Sequence, residues 1–170
     1  MHIDNRHHRD LNAGPEAVGV LLTGLASRND RLWPHENWPR MRFDGPLAVG
    51  AAGGHGPIRY TVEECETGKR IRFRFTGPAG FHGYHELVVE PRGAGTTRLA
   101  HRLVMTASGS ARLSWPLVFR PLHDALLEDA LHKAALALGQ TEPPPVWSPW
   151  VRLLRRLAGG SMRQRAYSNR

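Results

Sequence analysis

This chain of 170 residues holds one cysteine. A lone thiol, Cys65, forms no internal disulfide, which fits a reducing compartment. No apolar run approaches the length of a bilayer-spanning helix, and the N-terminal MHIDNRHHRDL lacks the apolar stretch of a secretory signal. The expectation is a cytoplasmic protein. Acids are missing from one end: Trp147 to Arg170 contains six arginines and no Asp or Glu. Those six account for most of the net charge of +8, leaving +2 for residues 1–146. The basicity sits in a tail and not in a stripe on the body with interleaved aromatics, so a nucleic-acid-binding domain is not expected. A phosphate-binding loop is also missing. The segment GAAGGHGPIRY, Gly50 to Tyr60, carries four glycines, but Pro57 and an alternating strand follow it where a helix N-terminus would be required. No Gly-Lys-Ser/Thr occurs. The segment reads as a flexible connection into a strand.

What is present suits a single globular domain: 41% of residues are hydrophobic and 22% charged, enough for one core. Residues 3–11 read as a strand. In GPEAVGVLLTGLA, Pro15 suits a first helical turn, and Val18, Leu21, Leu22 and Leu25 fall on one helical face. RNDRLWPHENWPRMRFDGPL is broken by three prolines and reads as an irregular segment anchored by Trp33 and Trp38. From Pro57 the period becomes two: Ile58, Tyr60, Val62; then Ile71, Phe73, Phe75; then His85, Leu87, Val89; then Leu99, His101, Leu103, Met105. Short turns separate these runs, which predicts an antiparallel meander. An amphipathic helix is predicted from Leu122 to Gly139, with Leu122, Leu126, Ala130 and Ala134 on one stripe and an irregular start at Pro116 and Pro121. On the outer face, Glu86 with Arg102 and Glu90 with Arg98 are candidate cross-strand ion pairs.

Three segments carry a family resemblance: GAAGGHGPIRYTVEECETGKRIRFRFTGPAGFHGYHELVVEP, TTRLAHRL and WPLVFRPLHDALLEDAL. The chain resembles the SRPBCC superfamily, with its START-like and Bet v 1-like helix-grip proteins and polyketide cyclase/dehydrase-like members. The resemblance implies an α+β fold in which a curved antiparallel sheet wraps around a long C-terminal helix, over residues 1–139. It also implies a hydrophobic cavity for a lipid, polyketide or similar small molecule, needing no cofactor. The superfamily has no universal catalytic motif, so the reaction, if there is one, is not implied.

Candidate cavity residues follow from strand and helix parity: Tyr60, Val62, Phe73, Phe75, His85 and Leu87, then Leu99, His101, Leu103, Met105, Leu122 and Leu126. His85 and His101 share the apolar face of neighbouring strands, opposite or diagonal to one another, and His123 lies beside Leu122. These three histidines are the candidate catalytic groups of an alternative reading, a cofactor-free cyclase or dehydratase, with Asp124 or Tyr60 as helper. No HExxH and no tight carboxylate spacing supports a metal, and none is expected. Cys65 shares parity with the outward Arg59 and Glu63 and is no nucleophile candidate.

Residues 140–170 read as a proline-rich linker, a short basic helix and a disordered end. Ser148 is a candidate N-cap, Trp150, Leu153, Leu154 and Leu157 form an apolar face, and Gly159 stops the helix. The preferred reading is that the apolar stripe docks on the chain's own domain or on a second subunit; the other is that Trp150 with Arg152, Arg155 and Arg156 touches an anionic membrane surface.

Overall fold

The computed structural model describes residues 1–158, so the Gly159 stop and the end SMRQRAYSNR lie outside the described residues. Seven strands form one antiparallel sheet: β1 (His2–Leu11), β2 (Arg42–Phe43), β3 (Ala52–His55), β4 (Ile58–Glu66), β5 (Arg70–Gly77), β6 (Phe81–Gly93) and β7 (Thr96–Ala107). Their spatial order is β1-β7-β6-β5-β4-β3-β2, so the first strand closes one edge against the last. Helix α1 (Pro15–Thr23) follows β1. A second helical stretch follows β7, comprising α2 (Ala111–Ser114), a π-helical turn (Trp115–Phe119) and α3 (Arg120–Ala137). The curved sheet and this long helix enclose the core, which runs from Leu11 and Leu22 through Phe73 and Leu99 to Leu131 and Ala134.

The sequence pattern and the structure differ at four places. The glycine segment is not a loose connection: residues 52–55 are a strand paired to β2 on one side and β4 on the other. Its glycines have a packing reason. A Cβ on Gly53 would stand 2.3 Å from the Arg42 carbonyl oxygen, and one on Gly54 would stand 2.1 Å from that of Ile58. The helical stretch begins at Ala111, well before Leu122. Pro116 and Pro121 remove backbone donors without ending it, because the wider π turn between Trp115 and Phe119 takes up the mismatch.

The third difference concerns ion pairs. Glu86 does lie opposite Arg102, and Glu90 opposite Arg98. Yet Glu86 accepts hydrogen bonds from Arg70 and Arg72 on β5, while Arg102 pairs with Asp4 and Arg98 with Asp10 on β1. Each arginine reaches along the outer face to the strand that offers a free carboxylate.

The fourth lies at the C-terminal segment. The helix α4 (Pro149–Leu157) forms, and the Ser148 hydroxyl accepts from the Val151 amide as an N-cap. It packs on residues 1–139, but through a face other than the expected stripe: Trp147 and Val151 belong to the main core, and of the stripe only Leu154 is buried with them. Trp150, Leu153 and Leu157 stay exposed, whereas Arg155 turns inward over the Trp38 ring, 4.6 Å from its centroid. Trp38 and Trp147 both donate their indole N–H to one oxygen of buried Asp129, at 2.7 and 3.1 Å. Among the described residues no helix is long and apolar enough to cross a membrane.

Candidate functional site

Between the sheet and the long helix lies a cavity of about 170 Å³. Its walls come from the strands β3 to β7, the irregular segment and the two C-terminal helical stretches. Strands β5 to β7 supply Phe73, Phe75, Phe81, His85, Leu87, His101 and Leu103. The long helical stretch supplies Trp115, Phe119, Leu122, His123 and Leu126. The irregular segment supplies Trp33, Trp38 and Met41, and the β3–β4 hairpin supplies His55, Pro57 and Ile58. Arg155 of α4 completes the rim.

Of the residues proposed from parity, Phe73, Phe75, His85, Leu87, His101, Leu103, Leu122, His123 and Leu126 line this space. Tyr60, Val62, Leu99 and Met105 do not, although all four are buried. Facing inward is necessary but not sufficient. Tyr60 is packed among Phe43, Phe73 and His85, and its hydroxyl meets His55 Nδ1 at 3.1 Å. Burial pushes the Tyr60 phenol up, so it stays protonated. Met105 packs in the second apolar cluster with Phe81 and Trp115.

The parity argument missed the aromatic part of the wall on the irregular segment. Proline hides any period there, and the only signal was the two tryptophans. Asp30 folds this segment: its carboxylate accepts from the amides of Ala26, Leu32 and Trp33. Trp33 then donates its indole N–H to Pro39, and Lys133 of α3 donates to the Trp33 carbonyl.

Apart from Arg155 at the rim, the charged or titratable groups of the cavity wall are imidazoles. His85 Nδ1 and His101 Nε2 are 3.2 Å apart, on the diagonal set by the pairing of His85 with Leu103 and of Leu87 with His101. The ring of His123 lies 5.0 Å from that of His101. Three imidazole nitrogens are buried without a hydrogen-bond partner: His85 Nε2, His101 Nδ1 and His123 Nε2. Burial pushes the pKa of His85 and His101 well below the usual histidine value and that of His55 down to about 3, so these rings are neutral at pH 7. Burial also lowers His123, against the opposing pull of Asp124.

Behind His123 the polar contacts continue to the protein surface. His123 Nδ1 lies 3.3 Å from Asp124 Oδ1, and the same oxygen meets His7 Nε2 at 3.1 Å and the Asn5 amide at 3.0 Å. His7 Nδ1 meets Glu128 Oε1 at 2.9 Å. Burial works against a charge on His7, but the bonds to Asp124 and Glu128 outweigh it and raise its pKa to about 9. For Asp124, burial is likewise outweighed by its bonds to His123, His7 and Asn5, which hold the carboxyl well below the usual range. His7 stands on β1, an element the sequence offered only as a weakly patterned strand.

No protein-family model matches the sequence, and comparison with curated proteins finds no match. Solved structures do match. One is a protein from Thermobifida fusca with a TM-score of 0.64 at 17% identity, covering 84% of this chain and 99% of the other. Another is the Thalictrum flavum norcoclaurine synthase in complex with dopamine and hydroxybenzaldehyde, with a TM-score of 0.61 at 15% identity, covering 84% and 90%. A third is CalU16 from Micromonospora echinospora, with a TM-score of 0.55 at 14% identity, covering 94% and 92%. The fold is the helix-grip fold of Bet v 1-like proteins. Similarity at this level of identity establishes the helix-grip architecture, which hosts ligand-binding cavities, and leaves ligand and chemistry to be argued from the site.

Proposed function

We propose that this chain binds a small, mostly apolar molecule, one aromatic ring in size, that carries a polar group. The observation that carries the reading is the set of three unpartnered buried imidazole nitrogens on His85, His101 and His123, residues that line a cavity walled mainly by aromatic and aliphatic side chains with Arg155 at its rim. Buried polar atoms without partners are costly, and a ligand hydroxyl or carbonyl would satisfy them. Size narrows the class. A cavity of roughly 150 Å³ takes up benzene, and this one measures about 170 Å³. That favours a single ring over a long acyl chain or an extended polyketide. The norcoclaurine synthase complex holds dopamine and hydroxybenzaldehyde, each a single ring with polar substituents. The test is a titration followed by tryptophan fluorescence, since Trp33, Trp38 and Trp115 line the cavity. A hydroxybenzaldehyde should give saturable quenching that palmitate neither mimics nor competes away. Competitive displacement by palmitate would instead support a lipid carrier.

A second reading, acid–base catalysis without a cofactor, is favoured by one contact. Asp124 holds His123 Nδ1, the arrangement of a base with its orienting carboxylate, and Nε2 of this cavity-lining residue is buried without a partner. Burial keeps His85 and His101 neutral and makes them poor proton acceptors, so in this reading they orient the substrate and His123 is the base. If an aromatic carbonyl compound that binds is also turned over, His123→Ala should abolish turnover while leaving a measurable affinity. Equal turnover by wild type and His123→Ala would remove this reading.

A further inference from the structure

The polar cluster behind the cavity wall has a second use. We propose that His7, His123 and Asp124 form a binding site for a divalent first-row transition metal of the zinc type. Each of the three residues offers one donor atom, and the three atoms lie within 4.8 Å of one another. Among the described residues this is the one such group.

Three observations support an ion here over a cluster that only holds helix to strand. The first is spacing. Zinc bonds of about 2.0–2.1 Å in a tetrahedron put neighbouring donors about 3.3 Å apart. Asp124 Oδ1 stands 3.1 Å from His7 Nε2 and 3.3 Å from His123 Nδ1. The third edge, between His7 and His123, lies within 4.8 Å. The second is the donor set. Two imidazoles and a carboxylate suit zinc and its first-row neighbours, and three protein ligands leave the fourth position open. The third is outside the cluster. His7 Nδ1 meets Glu128 Oε1 at 2.9 Å, and Arg9 in turn holds Glu128 at 3.3 Å. A carboxylate on the far nitrogen of a histidine fixes the ring and the tautomer, and it is the usual companion of a metal-bound imidazole. An entering ion displaces the Nε2 proton of His7, and the Nδ1 proton stays on the Glu128 side.

The sequence concealed this set because its members are far apart: His7 and Asp124 are separated by 117 positions. The register that pairs β1 with β7 carries His7 to the long helix, where His123 and Asp124 are adjacent. The site lies at the cavity wall, since His123 belongs to both. It is independent of ligand binding in the cavity, but it replaces the catalytic reading, because His123 Nδ1 cannot both be held by Asp124 and ligate an ion.

The test uses the untagged full chain after chelator treatment. Isothermal titration with Zn(II) should give one site, and Co(II) should give the visible bands of a four-coordinate ion. His7→Gln and Asp124→Asn should each weaken zinc binding by more than a hundredfold. Glu128→Gln, which touches no ion, should weaken it roughly tenfold to a hundredfold. His82→Gln and Cys65→Ser should leave it unchanged. No stoichiometric uptake by the folded wild-type chain would overturn the proposal. So would unchanged affinity in both His7→Gln and Asp124→Asn, because that would place the ion elsewhere. Uptake retained by the wild type alone supports it even if one variant fails to fold, provided the other is folded and empty.

Discussion

At the residue scale, the pair of His85 and His101 sits where an apolar pair would pack at less cost. Both rings are buried, they share one hydrogen bond, and each keeps one nitrogen without a partner. Replacing both members of a buried polar pair by apolar side chains of similar size is close to neutral or stabilising, whereas replacing one strands the other. His85→Leu with His101→Leu should therefore melt at or above the wild-type temperature while losing the hydroxybenzaldehyde response. Single His101→Leu should cost about 1–3 kcal/mol in urea unfolding. A double variant that is strongly destabilised would make the histidines structural. Much of this pair was legible from period and parity alone, which placed both on one face of neighbouring strands. His7 and His55 were not legible: His7 matters through a partner that only the β1–β7 pairing brings near, and His55 sits in a strand whose glycines hid its period.

At the scale of elements, the C-terminal helix is held by a latch. Buried Asp129 accepts both indole N–H groups, from Trp38 and Trp147, and Arg155 covers the Trp38 ring. The latch joins the irregular segment to α4, and both supply cavity wall. Trp147→Ala removes a buried aromatic and one partner of a buried carboxylate. It should cost about 3–5 kcal/mol by chemical denaturation and increase binding of a hydrophobic dye as the wall opens. Gly54→Ala tests the other side of the cavity. Its Cβ would collide with a backbone oxygen, and with no flexible end to yield, the β3–β4 hairpin must shift, so the melting temperature should fall. The helix itself was readable from Ser148, Pro149 and its alternating leucines and arginines. Its docking face was legible only in part: Leu154 of the expected stripe is buried, while Trp150, Leu153 and Leu157 stay exposed and Val151 is buried instead.

At the scale of the whole molecule, the neutral buried histidines link stability to pH. His55, His85 and His101 all have folded-state values below the usual one, so the unfolded chain binds more protons as pH falls under about 6.5. Their stabilising contribution is complete above that point and is lost on acidification. Urea midpoints of the metal-free chain should fall between pH 6.5 and 4, with a slope near 1.4 kcal/mol per pH unit for each histidine that must charge. The His85→Leu, His101→Leu chain should show a shallower fall. The fold as a whole was the most legible level, because strand alternation, turn residues and one long helix agree on a single layered arrangement. The cavity was less legible, since its far wall is built by Asp30, Trp33 and Trp38 in a segment without period.

One spectrum bears most directly on the central claim. Nitrogen-15 spectra of the histidine rings, recorded as hydroxybenzaldehyde is added, report each imidazole separately. Saturable shifts at His85 Nε2, His101 Nδ1 and His123 Nε2, with His2, His8 and His82 unmoved, are what the account predicts. A ligand that binds while those three nitrogens stay still, or shifts confined to His2, His8 and His82, would contradict it.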